Sequence, residues 1–334
     1  MNADADRDDA ADKSPVIIDC LQYARWNRTV FKQMRAGGVT AVHVTIAYWE
    51  NCRETVAAIA RWHELFREHA DLIMPLASGD DLNRALASGR TGIVFGFQHC
   101  SPIGEDLGNV GIFHRLGVRF MQLSYNNQSV LATGWTERED PGITRFGREV
   151  IREMNRAGMV VDMSHSAERS TLEAIEISER PIAISHANPS SWGGPAGRNK
   201  SDTVLRALAE SGGVLGLSLY PNHMPDGSAT TLESFCAMVA RTVDLMGIEH
   251  VGLGSDLVQG HDDAVVNWMR NGLWRRGADE PLHRWPEPVS WFRSNLDFPG
   301  IASGLRAHGF SAAETDAVMG GNWARFFRES FGSK

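Results

Sequence analysis

Residues 146–165 read FGREVIREMNRAGMVVDMSH, and this stretch holds one copy of the unit from which most of the chain is built. An amphipathic helix over 146–157 stops at Gly158, where a left-handed cap residue costs little. The apolar run MVVDM follows directly as a strand, and the strand stops at Ser164-His165. A strand that is apolar along its whole length is covered on both faces, which is the signature of a parallel sheet packed under helices. GIVFGF at 92–97 reads the same way.

Outward from that unit, strands are expected at 16–20, 40–47, 91–97, 119–123, 159–163, 181–185, 214–219 and 251–254. A run at 72–76 is either an extra strand or a connection. Helices separate the strands, one of them capped by Asn51 and running to Glu68. Alternating strands and helices require parallel strands. A doubly wound open sheet shares this rhythm, but the count of eight favours a closed (β/α)8 barrel of the TIM type.

With 334 residues, 43% hydrophobic and 22% charged, one barrel domain over 14–334 accommodates the chain. The first thirteen residues carry five aspartates and no apolar run, so 1–13 is expected to be a solvated acidic tail and export is not expected. A formal charge of -8 argues against nucleic acid or an anionic membrane as partner. No run is apolar for long enough to cross a bilayer. Cys20, Cys52, Cys100 and Cys236 are scattered without a CxxC pair, which suits buried thiols in a reducing cytoplasm. The segment 257–300 after the last strand is long, proline-rich and holds Trp268, Trp274, Trp285 and Trp291. It is expected either to cover a site or to pack as a surface subdomain or dimer contact.

The strands end at chemically capable residues: Gln98-His99, Ser124-Tyr125, Ser164-His165, Ser185-His186, Tyr220 and Ser255-Asp256. In a closed barrel such ends converge on one mouth. Two histidines and a carboxylate from different strands make a plausible metal site and general base. His63, His69 and His114 fall on helices and are expected at the surface. For His43, inside the second strand, facing the barrel interior is the lesser of two readings.

At these residues the chain resembles the renal or membrane dipeptidase family, the M19 metallopeptidases of the amidohydrolase superfamily. The segments that carry the resemblance are LGVRFMQLSYNN (116–127), GITRFGREVIREMNRAGMVVDMSHS (142–166), PIAISHANPSSW (181–192), GRNKSDTVLRALAESGGVLG (197–216), HVGLGSD (250–256) and GGNWARFF (320–327). The resemblance implies metal-binding histidines at His165 and His186 and an acid/base aspartate at Asp256. It also implies substrate binding at Arg198, whose guanidinium fork suits a carboxylate, and at the adjoining Asn199. Tyr125 stands where some members polarise the scissile carbonyl with a histidine, and a phenol donates the same bond.

The chain also departs from the family pattern. Its first strand reads Asp19-Cys20-Leu21-Gln22-Tyr23, so Leu21 and Tyr23 replace a histidine and an aspartate that bind metal in the family. Gln98 replaces a bridging glutamate, and a neutral amide is a poor bridge between dications. One divalent ion at most is therefore expected, zinc first, on His165 and His186, completed by Gln98, Asp256, His99 or Cys100, and a metal-free site stays open. The resemblance implies hydrolysis of a dipeptide or similar small carboxylated amide, and a homodimer is expected because closed two-fold pairs are the commonest oligomers. A metal-independent lyase or isomerase on a carboxylated metabolite, and a silent small-molecule-binding homologue, are the competing functions.

Overall fold

The computed structural model describes residues 16–271 and 282–332, so the acidic segment 1–13 and Trp274 lie outside the described residues. Ten strands form one parallel sheet: β1 (Ile17–Ala24), β2 (Val39–Ala47), β3 (Ile73–Pro75), β4 (Thr91–Phe97), β5 (Val118–Gln122), β6 (Val160–Asp162), β7 (Ala183–Ala187), β8 (Val214–Leu217), β9 (Val251–Leu253) and β10 (Leu257–Gln259). Eight of them run β1-β2-β4-β5-β6-β7-β8-β9, and β9 pairs back to β1 at Asp19 and Leu253. With helices between the strands, this is the (β/α)8 barrel that the spacing predicts.

The two remaining strands are additions. β3 pairs with β4 outside the ring, which makes 72–76 an extra strand rather than a connection. β10 pairs with β1 at Gln22, Tyr23 and Ala24. That pairing explains why β1 runs on to Ala24 instead of stopping at 20.

The helix ends follow from local chemistry. Asn51 Oδ1 accepts from Glu54 N while Glu54 bonds the Asn51 amide, a reciprocal cap for the helix Cys52–Glu68. Thr144 caps Arg145–Ala157, and Gly158 closes that helix at a φ of 85°. The barrel floor is filled by the last helix, Asn322–Phe331. Trp323, Phe326 and Phe327 pack there with Ile18, Val94 and Phe120, and the Trp323 indole donates to Leu253 O at 2.9 Å.

Two histidines sit elsewhere than expected. His69 is buried rather than solvated, because its helix end turns the ring against Phe31 at 5.2 Å between centroids. His43 faces the barrel interior, stacked on Phe120 at 4.6 Å with Nδ1 2.9 Å from Cys20 O. The space it fills is left by Gly96, where a Cβ would collide with the ring.

Candidate active site

At the C-terminal ends of the strands a cleft of about 580 Å³, open to solvent at its rim, is lined among others by Gln98, Tyr125, His165, Arg198, Asp256 and Arg270. The strand ends that the sequence singles out therefore converge, with two qualifications. His186 lies just beneath the lining, fully buried against His165. His99 and Cys100 turn away and line a separate surface groove with Ser101 and Gly104. His99 Nδ1 accepts from Ser101 N at 3.0 Å and its ring lies 4.8 Å from Trp49, so local packing points it out of the mouth.

Hydrogen bonds fix the state of the imidazole pair. The Trp135 indole donates to Asn126 Oδ1 at 2.8 Å, so that atom is an acceptor and His165 Nδ1, 2.8 Å from it, carries the hydrogen. Asp162, at the end of β6, takes the hydroxyls of Ser164 and Ser185 and the amides of both residues. With its hydrogen given to Asp162, Ser185 Oγ accepts from His186 Nδ1 at 2.8 Å. Both rings are thereby left with bare Nε2 lone pairs, and these face each other at 2.9 Å. Burial, with Arg198 next in effect, holds both imidazoles well below their usual pKa, so a shared proton is disfavoured.

Two converging lone pairs fit one cation held at two points. Among the described residues no group of three or more His, Cys, Asp or Glu side chains comes together to hold an ion. Gln98 Nε2 is engaged by Thr45 Oγ1 at 2.9 Å and Tyr48 OH at 2.7 Å. Where the family pattern has ligands on the first strand, Leu21 is buried and gives its carbonyl to the Asp256 amide. Tyr23 lines the cleft, edge-on to Tyr48 at 5.3 Å.

Asp256 follows β9 with a φ of 56°, a left-handed conformation that is costly for a residue with a Cβ. It is held by Asp19, whose carboxylate takes the amide and hydroxyl of Ser255 at 2.6 and 2.5 Å across the barrel seam. Burial raises the Asp256 carboxyl to about 7, against the opposing pull of Arg198 and Arg270. Arg198 is almost fully buried. It donates Nη1 to Ser164 O and Nη2 to His186 O, approaches His165 Nε2 at 3.4 Å, and has no partner for Nε. The adjoining Asn199 donates to Gly193 O and His223 O, and so braces the loop. Tyr125 stacks on His165 at 4.2 Å, and burial pushes its phenol well up, which keeps it a donor.

The segment after β9 supplies part of the mouth. Within its described residues Trp285 and Arg270 line the cleft, Trp268 packs 5.9 Å from Tyr48, and the Trp291 indole bonds Thr230 O away from the site. Arg270 and Asp162 are the residues that sequence reasoning missed. Asp162 stands in the VVDMSH run, where it looked like part of an apolar strand. Arg270 had no local signal.

A parallel barrel with imidazoles, guanidiniums and one raised carboxyl at its mouth is a barrel of the amidohydrolase kind. A model of the Membrane dipeptidase family (Peptidase family M19) matches residues 21–282. An amidohydrolase from Pseudomonas aeruginosa superposes with a TM-score of 0.90 at 34% identity, over 96% of this chain and 97% of that one. A metallo peptidase from Rhodobacter sphaeroides shares the fold, with a TM-score of 0.79 at 17% identity over 95% and 99% of the two chains. The dipeptidase tcpJ of Claviceps purpurea is 27% identical over 83% of this chain and 60% of its own length. The chain belongs to the M19 family. It spans between 42% and 60% of the length of four curated dipeptidase relatives.

Proposed function

We propose that the protein is a hydrolase of the dipeptidase type that cleaves a dipeptide or similar small carboxylated amide. One observation carries the reading: Asp256, with its carboxyl near neutrality, shares a single cleft with Arg198, Tyr125 and His165, beneath which His186 lies. A carboxyl poised near the operating pH can take a proton from an attacking water and return it to the leaving amine. Arg198 holds the substrate carboxylate, and the Tyr125 phenol donates to the oxygen on which negative charge develops.

Within this proposal His165 and His186 hold at most one divalent ion, zinc first, with Gln98 beside them. Such an ion supplies Lewis acidity at the scissile carbonyl. A metal-independent acid–base reaction is favoured by one feature, the Arg198 cation 3.4 Å from His165 Nε2. The cysteines are free among the described residues, and no described helix is long and apolar enough to cross a membrane. A cytoplasmic homodimer with one domain over 14–334 is the remaining part of the proposal.

The test is turnover of a dipeptide and N-acyl amino acid panel by protein purified without chelators. Hydrolysis should be seen, and Arg198→Met should raise KM for carboxylated substrates. Absence of turnover across the panel would reject the hydrolase reading.

A further inference from the structure

Among the described residues lining the mouth, Arg198, Arg270 and Asp256 are the arginine, lysine, aspartate or glutamate side chains. Arg270 is part of the site and no bystander: its Nη2 meets Tyr220 OH at 3.3 Å, and its guanidinium lies over the Tyr220 ring at 5.9 Å. The lining thus holds two fixed cations and one anion. Arg198, almost fully buried, keeps an unpaired Nε donor. A substrate bearing one carboxylate and no other charge balances this lining. A free dipeptide brings an ammonium as well, and the single lining carboxylate must also handle the reacting proton. A divalent ion on the imidazole pair would only add to the positive excess.

Beside the cleft lies a second chamber of about 720 Å³, open to solvent, which shares Tyr220, Asp256, Val258 and Trp285 with it. Its other walls include Leu219, Leu257, Pro288 and Phe292, with the exposed Glu287 also contributing. An exposed carboxylate is screened by water and anchors an ammonium weakly.

Resting on the hydrolase reading, we infer that the cleft selects N-acylated amino acids over free dipeptides. The substrate carboxylate lies at Arg198 and Arg270, and an apolar acyl chain extends into the chamber walled by Trp285 and Phe292. Water cleaves the amide C–N bond, giving a fatty or other apolar carboxylic acid and a free amino acid.

The experiment compares N-octanoyl-alanine, N-acetyl-alanine and alanyl-alanine, in both configurations at the alanine carboxyl end, by kcat/KM and by calorimetric binding to the wild-type protein. N-octanoyl-alanine should be favoured over alanyl-alanine by about tenfold or more, since like-charge contact is costly and the chain buries apolar surface. Arg270→Gln should narrow that ratio, and Trp285→Ala should narrow the gap between octanoyl and acetyl. Preferential binding of N-octanoyl-alanine without turnover would keep this selectivity and reject the hydrolase reading. Equal or better use of alanyl-alanine, or no saturable binding of N-octanoyl-alanine, would overturn the inference.

Discussion

His165 Nε2 and His186 Nε2 face each other at 2.9 Å, each with its hydrogen drawn to the far side of the ring by Asn126 and by the Ser185–Asp162 pair. Two facing lone pairs repel unless a cation meets both, and the Arg198 guanidinium reaches only His165 Nε2, at 3.4 Å. Protein prepared without chelators should therefore bind close to one equivalent of zinc, and a second equivalent should not raise turnover. Ser185→Ala releases the His186 ring, and loss of such a support weakens metal affinity by about 10- to 100-fold. A chelator-competition titration measures this, and unchanged affinity would mean that the pair does not hold the ion.

The Asp256 carboxyl, raised to about 7, sets the pH profile of the reaction. A general base works only when ionised, so kcat/KM should climb from pH 6, reach half its maximum near pH 7 and level off above about pH 8. Asp256→Asn keeps the shape but cannot accept a proton. It should lower kcat by about 10²- to 10⁴-fold and remove this limb of the profile. A profile unchanged in the variant would assign the limb to another group.

Stability should depend on pH in a direction set by the buried histidines. Burial lowers His43 and His99 to about 4 and takes His165, His186 and His223 well below their usual value of 6.5. As pH falls below 6.5 the unfolded chain gains protons that the folded chain refuses, so stability is lost. Asp19, raised to about 6, Asp256, raised to about 7, Glu50, raised by burial, and Lys200, lowered by burial to about 7, act oppositely, because the folded state takes up their protons over this interval. The five histidines outweigh these four groups, so the melting temperature should drop from pH 7 to pH 5. A rise over that interval in differential scanning fluorimetry would contradict the burial of these rings.

The barrel was legible because its signals are local and repeated: a glycine cap, an apolar run, then a polar pair. The positions of His165, His186 and Asp256 at the mouth were legible for the same reason, since each follows a strand, whereas Arg198 was reached only through the resemblance carried by its GRNKSD segment. Less visible were features that depend on distant partners. β10 exists because residues 22–24 offer it a free edge, and His43 faces inward because Gly96, on the neighbouring strand, leaves room. Asp162 reads as one polar residue in an apolar strand until the Ser164 and Ser185 hydroxyls are seen converging on it. Arg270 reaches the site through tertiary packing of its segment, which no spacing in the sequence encodes.

The barrel floor offers a separable test of fold against function. Trp323 is fully buried, with its ring against Phe326 at 5.6 Å and Phe327 at 6.0 Å and its indole on Leu253 O. Trp323→Ala removes that packing and orphans the carbonyl, which should cost about 3–5 kcal/mol of stability. Trp323 packs at the floor, opposite the mouth that holds Arg198 and Asp256. Urea denaturation should therefore show the full loss, while KM measured well below the variant's melting temperature stays within about twofold of wild type. A large change in KM with little loss of stability would mean that the floor helix is coupled to the mouth through β9, whose end carries Asp256.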